Sequence, residues 1–136
     1  MIQLEYKING AGWAAGKIGN GSKLVDFTAS YLHDSLKELA ESAIEIRKNN
    51  STYVVFMDEP GEHVLVLNRK DKDIIYYEFK YYEDWWSWNL IDKNNFFSVL
   101  KGQTTVSEYV NQVKKVLNEI MTELSFEEYR LSLIHI

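Results

Sequence analysis

Residues 52–68 read TYVVFMDEPGEHVLVLN. Two apolar runs, 52–57 and 63–68, flank Asp58-Glu59-Pro60-Gly61. Proline presets φ at the first central position of a turn, and glycine accepts a positive φ at the next. The segment therefore predicts a β-hairpin closed by a type II turn. Both runs are apolar on alternate faces as well as between them, so these strands are expected to be central and covered. A tight hairpin of this kind implies antiparallel pairing, and it sets the fold class for the rest of the chain.

Working outward, Lys70-Asp71-Lys72-Asp73 is a polar turn into a long strand, IIYYEFKYY (74–82). Tyr77, Phe79 and Tyr81 fall on one face of that strand. Tyr76, Glu78, Lys80 and Tyr82 fall on the other. After the tryptophans at 85, 86 and 88, Lys93-Asn94-Asn95 turns into FFSVL. On the N-terminal side, IQLEYKI (2–8) alternates as a strand. WAAGKI (13–18) pairs back after the turn at 9–12, and KLVDFT follows the turn Gly19-Asn20-Gly21-Ser22. The clustered glycines here read as hairpin turns. No P-loop motif is present and no helix opens directly after Gly21, where a phosphate would need one.

Two stretches change to a helical period. Leu32, Leu36, Leu39, Ala40, Ala43 and Ile44 form one stripe, with Ser30 as N-cap, an end at Asn49-Asn50-Ser51, and an acidic outer face of Asp34, Glu38, Glu41 and Glu45. Val106, Val110, Val113, Leu117, Ile120, Met121 and Leu124 form the other, with Thr105 and Glu108 at capping-box spacing. The tail FEEYRLSLIHI holds apolar residues that need cover from the domain or from another chain. The order is β-β-β-α-β-β-β-β-α. It predicts an α+β two-layer fold over 1–136, with a mostly antiparallel sheet of six or seven strands and two helices on one face.

Composition narrows the function. A chain of 136 residues fits one domain and buries enough surface for a core without staples. With no cysteine, there is neither disulfide framework nor thiolate chemistry. No apolar run is long enough to span a membrane, and MIQLEYKING lacks the layout of a signal peptide. A cytoplasmic location is the expectation. The net charge is −5, with acids and bases mixed along the chain. No basic stripe is available to neutralise phosphates, so nucleic acid is not expected as a partner. The acidic balance mildly favours a basic one.

Catalytic signals are weak. His33, His63 and His135 have no helical i,i+4 partner for a zinc motif. Asp58, Glu59, Glu62 and His63 surround one hairpin and have the right chemistry for a divalent cation, but acids flanking a turn are ordinarily solvated. Glu83 and Asp84, beside tryptophans, have the composition of a glycosidase cleft. As neighbours on an extended strand they would point to opposite faces. No catalytic residue, metal or cofactor is expected.

Attention then falls on YYEDWWSW (81–88), which carries three of the four tryptophans. If extended, it places Trp86, Trp88 and Leu90 on one face; if curled into a helical turn, it brings Trp85 and Trp88 together. Tyrosine and tryptophan dominate interface hot spots, because they bury much area at small entropic cost. Tyr76, Tyr82, Trp85, Trp86 and Trp88 are the expected partner-contacting residues. The same rings could instead line a core edge or stack on a sugar.

The pieces Gly12-Trp13-Ala14, Ser30-Tyr31-Leu32-His33-Asp34-Ser35-Leu36 and Phe56-Met57-Asp58-Glu59-Pro60-Gly61-Glu62-His63-Val64-Leu65 resemble a group of small uncharacterised bacterial proteins. The group has no activity to carry over. In its size, acidity and α+β pattern the chain also resembles bacterial toxin-immunity proteins. The acidic surface helix, the aromatic-rich sheet and the lack of a catalytic set point to a non-enzymatic protein-binding domain, and the likeness gives its specific form, an inhibitor of a toxin. The alternatives are a self-associating homodimeric domain, or a binder of a small ligand or carbohydrate through Trp85–Trp88.

Overall fold

The computed structural model describes residues 1–10, 12–30 and 33–123. The order of elements is β1 Gln3–Gly10, β2 Trp13–Gly19, β3 Leu24–Ser30, α1 Ser35–Lys48, β4 Ser51–Met57, β5 Glu62–Arg69, β6 Ile74–Tyr82, β7 Phe97–Thr105 and α2 Val106–Glu123. The expected α+β order holds, and every strand pair is antiparallel. The strands divide into two sheets, β1-β2-β3 and β4-β5-β6-β7.

One core joins both sheets and both helices. Leu4 and Tyr6 of β1, Phe27 of β3, Leu39 and Ile46 of α1, Phe56, Leu65 and Phe79 of the second sheet, and Tyr109 and Val113 of α2 are all buried in it. Phe27 is its keystone. Its ring centroid lies 4.7 Å from that of Phe56 and 5.1 Å from that of Phe79, so the inner faces of the two sheets meet there. Gly16, opposite Phe27 in the ladder, makes this possible. A Cβ at Gly16 would stand 2.2 Å from the Phe27 ring.

Several local expectations are corrected. The 58–61 hairpin is present, but its frame is shifted. Asp58 N donates to Gly61 O at 2.9 Å, which puts Pro60 in the third position of the turn rather than the second. Gly61 takes the expected positive φ, at 88°, but with Pro60 in the third position the turn is not type II. The N-cap of α1 is Asp34, whose carboxylate accepts from Lys37 N at 3.0 Å. Ser30 is instead the buried last residue of β3. The buried residues of α1 are Ser35, Leu39, Ser42, Ala43 and Ile46, and Ile44 is exposed. The outer face of α1 is less free than its acids suggested: Glu38 accepts from Val55 N and bonds His33, while Glu45 accepts from Thr52 Oγ1. In α2, Tyr109 and Val116 are buried and Met121 is exposed. Thr105 caps this helix as expected, accepting from Glu108 N at 3.1 Å. The readings of Leu32, Leu124, His135 and the apolar tail fall outside the described residues.

Candidate partner-binding face

The outer face of the second sheet carries Tyr53 and Val55 of β4, Glu62, Val64 and Val66 of β5, and Tyr76, Glu78, Lys80 and Tyr82 of β6. Half of it is roofed by the chain that leaves β6. Val55, Val64 and Tyr82 are buried there beneath Trp86, Ile91 and Phe96. The expected covering of these strands therefore comes from a loop, with no helix involved.

The loop is a built structure. Asp84 accepts from Trp85 N, and the Trp85 indole donates to Asp58 O at 2.8 Å. Residues 86–88 form a 3-10 turn, closed by Leu90 N donating to Trp85 O at 3.0 Å. Asn89 takes the left-handed conformation at φ 59°, which asparagine tolerates better than most residues. Beneath the turn lies Glu62, 0% exposed, whose carboxylate accepts from both Ser87 N (2.7 Å) and Ser87 Oγ (2.9 Å). A buried carboxylate is tolerated when hydrogen bonds replace its water. Here those bonds fasten the tryptophan turn to the sheet.

Of the two alternatives for the tryptophans, the helical turn is the one observed. The rings of Trp85 and Trp88 meet edge to face at 4.8 Å. Trp86 lies flat on Tyr82 at 5.8 Å and edge-on to Tyr53 at 5.5 Å. The five expected contact residues thus separate. Tyr82 is 3% exposed, its hydroxyl donates to Lys93 O, and it packs with Val55 and Val64 under the loop. Burial and the nearby Glu62 raise its pKa. Trp85 and Trp86 are partly exposed, whereas Trp88 is open to solvent at 55% and Tyr76 at 46%. Tyr76 stands apart, on the unroofed half of the sheet. Tyr53, Leu90 and Phe97 are also exposed. Tyr53 was legible in principle, as an aromatic on the outer phase of β4.

His63 faces the opposite way from Glu62, so the imagined metal cluster of Asp58, Glu59, Glu62 and His63 does not assemble. Among the described residues no group of three His, Asp or Glu side chains is placed to hold a metal ion. The His63 ring stacks on Phe79 at 4.9 Å and 9°. Burial lowers its pKa to about 4, against the opposing pull of Asp58. Its Nδ1 is buried with no partner among the described atoms. It lies at a cleft of about 460 Å³ that runs past β3. Glu83 and Asp84 are both exposed, and Asp84 is occupied in capping Trp85.

No family model matches the chain, and no curated protein is significantly similar to it. Among solved structures, a chain of the CdiA-CT/CdiI toxin and immunity complex from Enterobacter cloacae has a similar fold. The TM-score is 0.55 at 10% identity, over 87% of this chain and 99% of that one. At that identity the likeness is one of fold.

Proposed function

We propose that this chain is a non-enzymatic protein-binding domain of the immunity type, which neutralises a toxin by covering it. The observation that carries the reading is the pinned aromatic loop. Trp88 and Leu90 are 55% and 56% exposed, yet they stand on a turn fastened from below by a buried carboxylate. Large apolar rings held rigidly in water are the usual anchors of protein interfaces, since little entropy is lost when they are covered. Tyr53 beside Trp86 and Tyr76 farther along the sheet extend the same face. The similarity in fold to a chain of a toxin and immunity complex supports this reading, and the net charge of −5 suits a basic partner.

The test begins at the neighbouring gene, which should encode a large toxin-like protein, and co-expresses the toxic domain of that protein with this chain. Growth should be restored, and the two proteins should co-purify as a one-to-one complex. Growth arrest that persists despite soluble chain, or arrest caused by the chain alone, contradicts the reading.

A further inference from the structure

The two sheets have four edges, β1 and β3 in one and β4 and β7 in the other. Unpaired edge strands invite a further strand unless something occupies their backbone groups. On three of these edges the chain itself takes at least one outward backbone group. On β7, the carbonyls of Val99, Lys101 and Gln103 accept from Lys23 Nζ, Asn20 Nδ2 and the N-terminal amine. On β1, Leu4 N donates to Gln112 of α2. On β4, Val55 N donates to Glu38 and Val55 O accepts from Ser35, both of α1.

The edge of β3 differs. Asn20 N donates to Lys23 O, so 20 and 23 are a hydrogen-bonded pair of the β2–β3 ladder. Bonded and non-bonded pairs alternate along an antiparallel ladder. Val25 and Phe27 therefore bond to β2, while the N–H and C=O of Leu24, Asp26 and Thr28 point away from it. The same alternation turns Leu4 outward on β1, where its amide meets Gln112. Among the described residues nothing takes the backbone groups of Leu24, Asp26 and Thr28, and all three residues are exposed.

We propose that this free edge of β3 takes an extended segment of the protein partner as an added strand, with a basic side chain of that segment entering the cleft beside it. The inference rests on the protein-binding reading above and names how the partner is held. Three observations select the occupant. First, the cleft of about 460 Å³ carries Glu5, Asp26 and Asp58 against Lys7 and Lys17, a net negative wall. His63 adds an unpartnered buried nitrogen there. Second, the cleft is continuous with the aromatic loop through a single residue: Asp58 O holds the Trp85 indole, and Asp58 Oδ2 accepts from the Thr28 hydroxyl of β3 at 2.8 Å. Asp58 thus ties the loop that carries Trp85 to this edge. Third, a second copy is disfavoured. Antiparallel pairing of β3 with itself over 24–28 would set Asp26 directly opposite Asp26, and like charges so placed repel.

The experiment is amide hydrogen exchange on the intact chain, free and in complex with the co-expressed toxin domain. The amides of Leu24, Asp26 and Thr28 should exchange freely in the free chain and slow at least ~10-fold in the complex. Asp26→Pro removes one outward N–H at a position where an edge strand accepts proline. It should weaken binding about tenfold, and Asp26→Asn, which removes the charge but keeps the amide, should weaken it less; tenfold corresponds to ~1.4 kcal/mol. A complex that forms with these three amides still exchanging freely overturns the proposal and leaves the aromatic face standing. So does protection already present in the free chain. Failure to form any complex overturns the protein-binding reading, and this proposal with it. The exchange measurement uses the natural chain, so the outcome does not depend on the proline variant folding.

Discussion

Glu62 and His63 are neighbours on β5 that face opposite sides of the sheet, and each is buried with a different consequence. Glu62 exchanges water for two hydrogen bonds from Ser87. His63 exchanges it for the faces of Phe79 and Tyr81, and burial lowers its pKa from 6.5 to about 4. Between those values the unfolded chain binds a proton that the folded chain does not. Acidification through that window therefore favours unfolding, by about 3 kcal/mol when complete, and the contribution is flat above pH 6.5. Urea unfolding of the natural chain and of His63→Gln at pH 7 and pH 4.5 checks this. The natural chain should lose more stability between the two pH values, and parallel losses would contradict the assignment. In the sequence, His63 is legible as a strand residue beside acids but not as a neutral ring. Its neutrality depends on Phe27 and Phe79, which strand pairing brings from elsewhere in the chain.

At the scale of the element, the tryptophan loop owes its order to a residue outside it. Replacing Glu62 by alanine removes two bonds to a charged acceptor and should cost about 2 kcal/mol or more. It should also shift tryptophan emission to the red as the 86–88 turn loosens. Unchanged emission would show that Trp86 on Tyr82 suffices to hold the loop. A second prediction concerns the meeting of the sheets. Gly16→Ala drives a methyl into the Phe27 ring, and the overpacking should destabilise by roughly 1–3 kcal/mol, measured by thermal or urea unfolding. Element types and order were legible because the hydrophobic period changes cleanly from two to 3.6 at each helix. The division into two sheets was not, since alternation assigns faces to a strand but does not name its neighbours. Nor was the burial of Tyr82: its phase on β6 put it on the polar face, and only the later residues Trp86, Ile91 and Phe96 roof that face. The cap of α1 was misread because Ser30 and Asp34 are both good caps, and β3 runs on far enough to claim the first.

At the scale of the whole molecule, the features fit a surface built to be covered. A single core fixes both sheets and both helices, three of the four sheet edges have backbone groups taken by the chain itself, and the exposed aromatics gather beyond the 58–61 hairpin and along the second sheet. The mixed charge and the aromatic content were legible in the sequence. Which rings stay exposed was not, because that depends on how the loop folds back. Trp88, half exposed and supported by Trp85, is the proposed anchor of the interface. The decisive measurement is the calorimetric affinity of the natural chain and of Trp88→Ala for the toxin domain proposed as its partner. The account predicts an unchanged fold by circular dichroism and binding weakened ~30-fold or more, the loss of about 2 kcal/mol expected of an interface anchor. Binding as tight as that of the natural chain would contradict it.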